Sequence, residues 1–154
     1  MYKYISIPKA HDRILIEELL DNIKLDDYYK YSSDLGFNWY SKRENNNIEL
    51  VIKTNKNEII GFISFRKCRN FKHLKVNLFI NFNNNKKLII GKAMLEIKKL
   101  LTIKGYEKLE LSVVEGNPVE ELYIKLGTKV GTWTNGTLLD NIPTNLNLYE
   151  IFLK

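Results

Sequence analysis

From Leu74 to Gly105 the chain reads LKVNLFINFNNNKKLIIGKAMLEIKKLLTIKG, and this stretch constrains the fold more than any other. The branched and aromatic residues from Leu74 to Ile80 suit a buried strand, which the Asn-rich segment Asn81 to Asn85 ends. After that loop Ile90, Ala93 or Met94, Ile97, and Leu100 or Leu101 recur at helical spacing. Glu96, Lys98 and Lys99 fall on the other side, and Gly105 suits a helix C-cap. A second strand, Lys108 to Val114 (KLELSVV), follows. The two strands are therefore expected to lie parallel, joined by a right-handed crossover through the helix.

A strand that runs into a basic helix start can hold an anion. The first-turn N–H groups have no partner within the helix, the helix dipole favours negative charge there, and Lys86, Lys87 and Lys92 add point charges. Taken alone, three surface lysines are better read as solvated side chains.

The residues after the second strand give this arrangement a context. Asn117 suits an N-cap, Pro118 the first helical position and Glu120 the third, and the segment ends Leu122, Tyr123, Ile124, Lys125, Leu126, Gly127. The whole run resembles the GNAT superfamily of N-acetyltransferases. In that family a strand, a pyrophosphate loop of the form Q/R-x-x-G-x-G/A and a helix precede a second strand, an Asn-led helix and a Leu-Tyr-x-Lys-Leu-Gly ending. Here the loop positions are Lys86, Lys87, Leu88, Ile89, Ile90, Gly91 and Lys92, and the order of elements fits across nearly the whole chain.

The resemblance implies an α/β (α+β) fold, a mixed sheet of six or seven strands flanked by helices, with central parallel strands parting at Asn81 and Val114. It implies one domain over residues 1–154 and acetyl-CoA as cosubstrate. The pyrophosphate would lie on Lys86 to Lys92, and the pantetheine arm would pair with the backbone of Phe79, Ile80 and Asn81. Asn117 would face the cofactor, although its place as an N-cap accounts for it equally well. Tyr123 matches the tyrosine that gives a proton to the departing thiolate, a modest demand for a thiol of pKa about 8.5. The other substrate would be a primary amine of a small molecule or of a peptide or protein, and transfer would be direct, without Cys68 as a nucleophile.

Three positions depart from the family pattern. Lys86 keeps the charge of the usual Arg but lacks its planar fork. Ile89 replaces the first Gly, and a β-branched residue tolerates neither positive φ nor close backbone approach. Asn117 lies six residues before Tyr123 where seven is usual, so Gly116 takes the strict Asn position. These departures leave a second reading open, a GNAT-fold module that binds CoA weakly or not at all and acts by protein interaction.

The rest of the chain reads as support. Tyr2 to Ile7 alternates like a first strand that Pro8 ends, and Ala10 to Ile23 carries Leu15, Leu19 and Ile23 on one helical face, with Ile16 and Leu20 beside them. Asp26 to Ser33 reads as a second helix. In the family this region walls the acceptor pocket, which nominates Tyr28, Tyr29, Tyr31, Phe37, Trp39 and Tyr40 as lining. Ile48 to Lys53 and Glu58 to Phe65 form a hairpin across Asn55-Lys56-Asn57. Lys129 to Trp133 and Leu146 to Leu153 are expected as a hairpin with a long loop, Thr134 to Asn145, between them.

No general base stands out. Leu74 to Asn81 carries no acid, Glu110 is expected to face away, Glu150 and Asp140 have nothing to recommend them, and His11 and His73 are isolated. The single cysteine among 154 residues forms no internal disulfide, and no Cys/His cluster suggests a metal site. No apolar run reaches membrane-spanning length, so a cytoplasmic protein is expected. The net charge of +6 is spread among acids, with no run of like charge. Nucleic acid is accordingly a weak candidate partner, an acetyltransferase acting on charged tRNA is the weakest reading, and a homodimer is left open.

Overall fold

The computed structural model describes residues 2–23, 48–83 and 86–153. In chain order their elements are β1 (Ile5–Ser6), α1 (Ala10–Ile23), β2 (Ile48–Lys53), β3 (Ile59–Lys67), β4 (His73–Asn81), α2 (Lys87–Ile103), β5 (Lys108–Val114), α3 (Glu120–Leu126), β6 (Thr128–Leu139) and β7 (Ile142–Phe152). The strands make one mixed sheet in the order β1-β2-β3-β4-β5-β7-β6. The region expected to wall an acceptor pocket, with Tyr28, Tyr29, Tyr31, Phe37, Trp39 and Tyr40, lies outside the described residues.

Alternation along β2 shows how both faces of the sheet are used. Leu50 and Ile52 join the larger core with Ile90, Ala93, Met94, Ile97 and Leu101 of α2, whereas Val51 joins a smaller core under Ile16 and Leu20 of α1. The two helices thus cover opposite faces, each burying an apolar stripe. On α1 the buried stripe is Asp12, Ile16 and Leu20, while Leu15 stays 42% exposed. The choice between two adjacent stripes is settled by Asp12, which pairs with Lys53 on β2 and turns its own face inward.

Local signals act where expected. Asn57 takes φ 67° in the β2–β3 hairpin, and Gly105 takes φ 92° just past α2, where the Tyr106 N–H closes the helix end on the Leu101 carbonyl. Two extents differ. Strand β1 covers only Ile5–Ser6, and β6 and β7 run on to a tight turn at Asp140 and Asn141, both with positive φ. Thr134 to Asn145 is therefore mostly strand. Asn135, at φ 53°, sits in a register shift within β6, and its N–H donates to Asn145 Oδ1 across the hairpin.

Candidate functional site

The strands β4 and β5 pair in parallel at only three positions, His73–Lys108, Leu74–Leu109 and Lys75–Glu110. Their parting therefore starts well before Asn81 and Val114. On its other side β4 pairs Leu78 with Ser64 and Val76 with Phe65, which leaves Asn77 as an extra residue. Such a bulge increases local twist and bends the strand, and it lies just past the last β4–β5 pair. Ser64 Oγ and Asn77 Nδ2, both buried at this bulge, have no hydrogen-bond partner among the described residues.

The wedge between the strands opens beside a cleft of about 580 Å³ whose walls are β4, α2 and α3. Nine of the eleven residues nominated for cofactor binding line it: Phe79, Ile80 and Asn81 on β4, Lys87, Leu88, Ile90, Gly91 and Lys92 on α2, and Asn117 ahead of α3. Lys86 and Ile89 do not. Ile89 is half-buried and packs against the larger core, so its branched side chain is turned away from the cleft it was expected to obstruct. Helical spacing explains the outcome, because Ile89 and Ala93 share a face, one turn apart.

At the start of α2, Lys86 makes no side-chain capping bond, and a helix leaves its first-turn N–H groups without a partner inside the helix. A Cβ built at Gly91 would meet nothing within 4 Å. Backbone approach there is unobstructed. Asn117 acts as a local cap, its Oδ1 accepting the Val119 N–H at 3.0 Å, and the helix proper begins only at Glu120.

Tyr123 lies behind the cleft wall, 5% exposed, between Phe79 and Tyr149 at ring-centroid distances of 6.4 and 6.1 Å. These rings bridge the wedge from β4 across to β7. Burial raises the Tyr123 phenol well above its ordinary pKa, so it holds its proton at neutral pH. Its hydroxyl makes no hydrogen bond among the described residues.

One group of residues was missed in the sequence. Glu120, read there as a capping residue, reaches across to β7: Oε2 accepts the Tyr149 hydroxyl at 2.6 Å and Asn147 Nδ2 at 2.7 Å. Asn147 Oδ1 in turn accepts the Thr132 hydroxyl at 3.1 Å. Burial, and then the Glu120 carboxylate, push the Tyr149 phenol up to about 12. The acids weighed as bases lie elsewhere. Glu110 and Glu150 both pair with Lys108 where β4 and β5 are still joined, and Asp140 sits in the distal turn. Among the described residues no cluster of His, Cys, Asp or Glu could hold a metal, and no helix is long and apolar enough to cross a membrane.

No family model and no curated protein matches the sequence. Solved structures do match. The spermidine N-acetyltransferase SpeG from Vibrio cholerae, in complex with CoA and spermine, aligns with a TM-score of 0.75 at 15% identity, covering 97% of this chain and 94% of that one. An N-acetyltransferase from Staphylococcus aureus Mu50 aligns with a TM-score of 0.73 at 18% identity, covering 97% and 98%. This is the GNAT fold. In GNAT terms the described chain supplies the splayed central strands, the helix that follows the first of them, and the short helix that carries Tyr123.

Proposed function

We propose that the protein is an acetyl-CoA-dependent N-acetyltransferase that acts on a primary amine of a small molecule or of a peptide or protein, in the cytoplasm. The observation that carries this reading is the wedge between β4 and β5. It opens beside the cleft, near the start of α2, and is flanked by the buried Tyr123. The CoA and spermine bound in the Vibrio cholerae structure of the same fold agree with it.

The residues present fit the cofactor. The start of α2, with Lys87, Lys92 and the open Gly91, offers N–H groups and positive charge to a pyrophosphate. Beyond Lys75 the edge of β4 that faces β5 has no strand partner among the described residues and offers backbone amide pairing to an extended arm. Phe79, Ile80 and Leu122 give the cleft an apolar wall.

When bound, acetyl-CoA supplies the acetyl thioester. Tyr123 stands as a hydrogen-bond donor to the sulfur as negative charge develops on it. Its raised pKa favours donation of a hydrogen bond over complete loss of the proton, and a thiolate of pKa about 8.5 asks for little more. Asn117 fixes the approach to α3, and the ring of Phe79 holds Tyr123 from the cleft side.

The test is a thermal shift with acetyl-CoA, CoA and a control nucleotide, followed by an assay of free-thiol release with a panel of amines. A ligand at about a hundred times its Kd stabilises the native state by roughly 2.7 kcal/mol, or several degrees for a chain of this size. A shift with the two CoA species alone, together with amine-dependent thiol release, is expected. No shift with either would overturn the reading.

A further inference from the structure

We infer that Glu120 and Tyr149 form a positioning dyad that aims the hydroxyl of Tyr123. The inference rests on the acetyl-transfer reading and adds two residues to it. A hydroxyl that must meet a ligand has to be left unbonded by the protein, and Tyr123 satisfies that condition among the described residues. Its direction then depends on what holds its ring. One neighbour is Phe79, on the bent end of β4, and the other is Tyr149, on β7.

Tyr149 is the better anchored of the two. It is 3% exposed, and its hydroxyl donates to Glu120 Oε2 at 2.6 Å. The same oxygen accepts Asn147 Nδ2, and Asn147 is tied to Thr132 on β6, so the carboxylate gathers α3, β7 and β6 into one network. Charge-assisted bonds of this length are stronger and more directional than neutral ones. Glu120 and Tyr123 are three residues apart on a helix of seven, which places them on the same face. A helix this short has little stability of its own. The bond from its first turn to β7 therefore sets its rotation, and with that the depth and tilt of Tyr123. Glu120 acts through Tyr149 and through α3, without touching the reacting atoms.

The experiment compares wild type, Glu120→Ala, Glu120→Gln and Tyr149→Phe. Misplacing a group by about 1 Å can cost up to about a hundredfold in rate, so Glu120→Ala and Tyr149→Phe should lower kcat at least about tenfold. The KM for acetyl-CoA should stay within about twofold. Glu120→Gln retains an oxygen for Tyr149 and Asn147, and should recover part of the lost kcat. A second readout needs no turnover. In an ultraviolet titration of the phenols, Tyr149, which burial and the Glu120 carboxylate raise above the ordinary phenol range, should ionise at lower pH in Glu120→Gln, where the negative charge is gone. An unchanged titration would show that the dyad bond is absent and overturn the inference. A shifted titration with unchanged kcat in all three variants would reduce the dyad to structural support, and parallel changes in kcat and KM would mean that α3 as a whole had moved. Wild type inactive with every amine, yet with the high-pH phenol present, would overturn the acetyl-transfer reading and the positioning inference while leaving the bond itself demonstrated.

Discussion

Lys53 Nζ lies 3.1 Å from Asp12 Oδ1, joining α1 to β2 where Asp12 is 1% exposed. Burial by itself would raise the Asp12 pKa, but the Lys9 N–H at 2.9 Å and the Lys53 ammonium outweigh it, and the carboxyl ends below its ordinary value. A carboxylate whose pKa is lower in the folded state stabilises the fold above its unfolded pKa of about 3.9, and that contribution fades as pH drops through the folded value. The melting temperature should therefore fall on acidification below about pH 4. Asp12→Asn should be less stable at neutral pH by about 3 kcal/mol, because Lys53 loses its partner, and should lose part of this acid dependence. Scanning calorimetry across the acid range reads both effects; equal acid sensitivity in the variant would remove Asp12 from the account.

Tyr123→Phe separates chemistry from packing with unusual clarity, since the hydroxyl holds nothing together within the described chain. The ring contacts with Phe79 and Tyr149 survive the change, so the melting temperature should stay within about 2 °C. Turnover should fall by ~10²–10³, as for loss of one hydrogen-bond donor to developing charge, with acetyl-CoA affinity little changed. A stability loss with full activity would return Tyr123 to the core.

Reversing the charges in Lys87→Glu and Lys92→Glu should weaken acetyl-CoA binding about tenfold each, and more at low ionic strength, where surface charge is less screened. Isothermal titration at two salt concentrations measures this. Affinities that do not respond to salt would place the phosphates somewhere other than the start of α2.

Gly127 follows α3, and a Cβ there would collide with the backbone oxygen of Glu150 and lie 2.8 Å from Ile151 Cγ1. Its φ of −147° is ordinary extended backbone, so the constraint is space alone. Gly127→Ala should cost about 1–3 kcal/mol by overpacking and should also lower kcat, because the same contact seats the helix that carries Tyr123. Denaturant unfolding and a turnover assay give the two numbers.

How legible the molecule was in its sequence depended on where each residue found its partner. Lys108–Val114 and Ala10–Ile23 formed with the expected bounds, and Gly105 and Asn57 took the backbone conformations that their chemistry favours, because those preferences are local. Ile89 misled because the loop pattern was read position by position, whereas the helix turned that side chain into the core. The long loop expected over Thr134 to Asn145 proved mostly strand because Asn135, with its positive φ, serves a bulge as readily as a turn, and the turn itself fell at Asp140-Asn141. Glu120 fits a local capping pattern, yet its partners are 27 and 29 residues away on β7. The early parting of β4 and β5 goes with a bulge at Asn77, for which the run of apolar residues carries no mark.

Those three rungs between β4 and β5 also give the molecule a mechanical seam. The sheet is two ribbons, β1 to β4 and β5 to β7, and the β2–β3, β3–β4, β5–β7 and β6–β7 ladders inside them are longer than the one that crosses the seam. Under tension the ribbons would part like a zip already half undone, with α2 as the tether between them. A molecule lodged in the gap would act as a wedge and a splint together, propping the ribbons at a fixed angle while stitching across the place where the protein's own stitching stops.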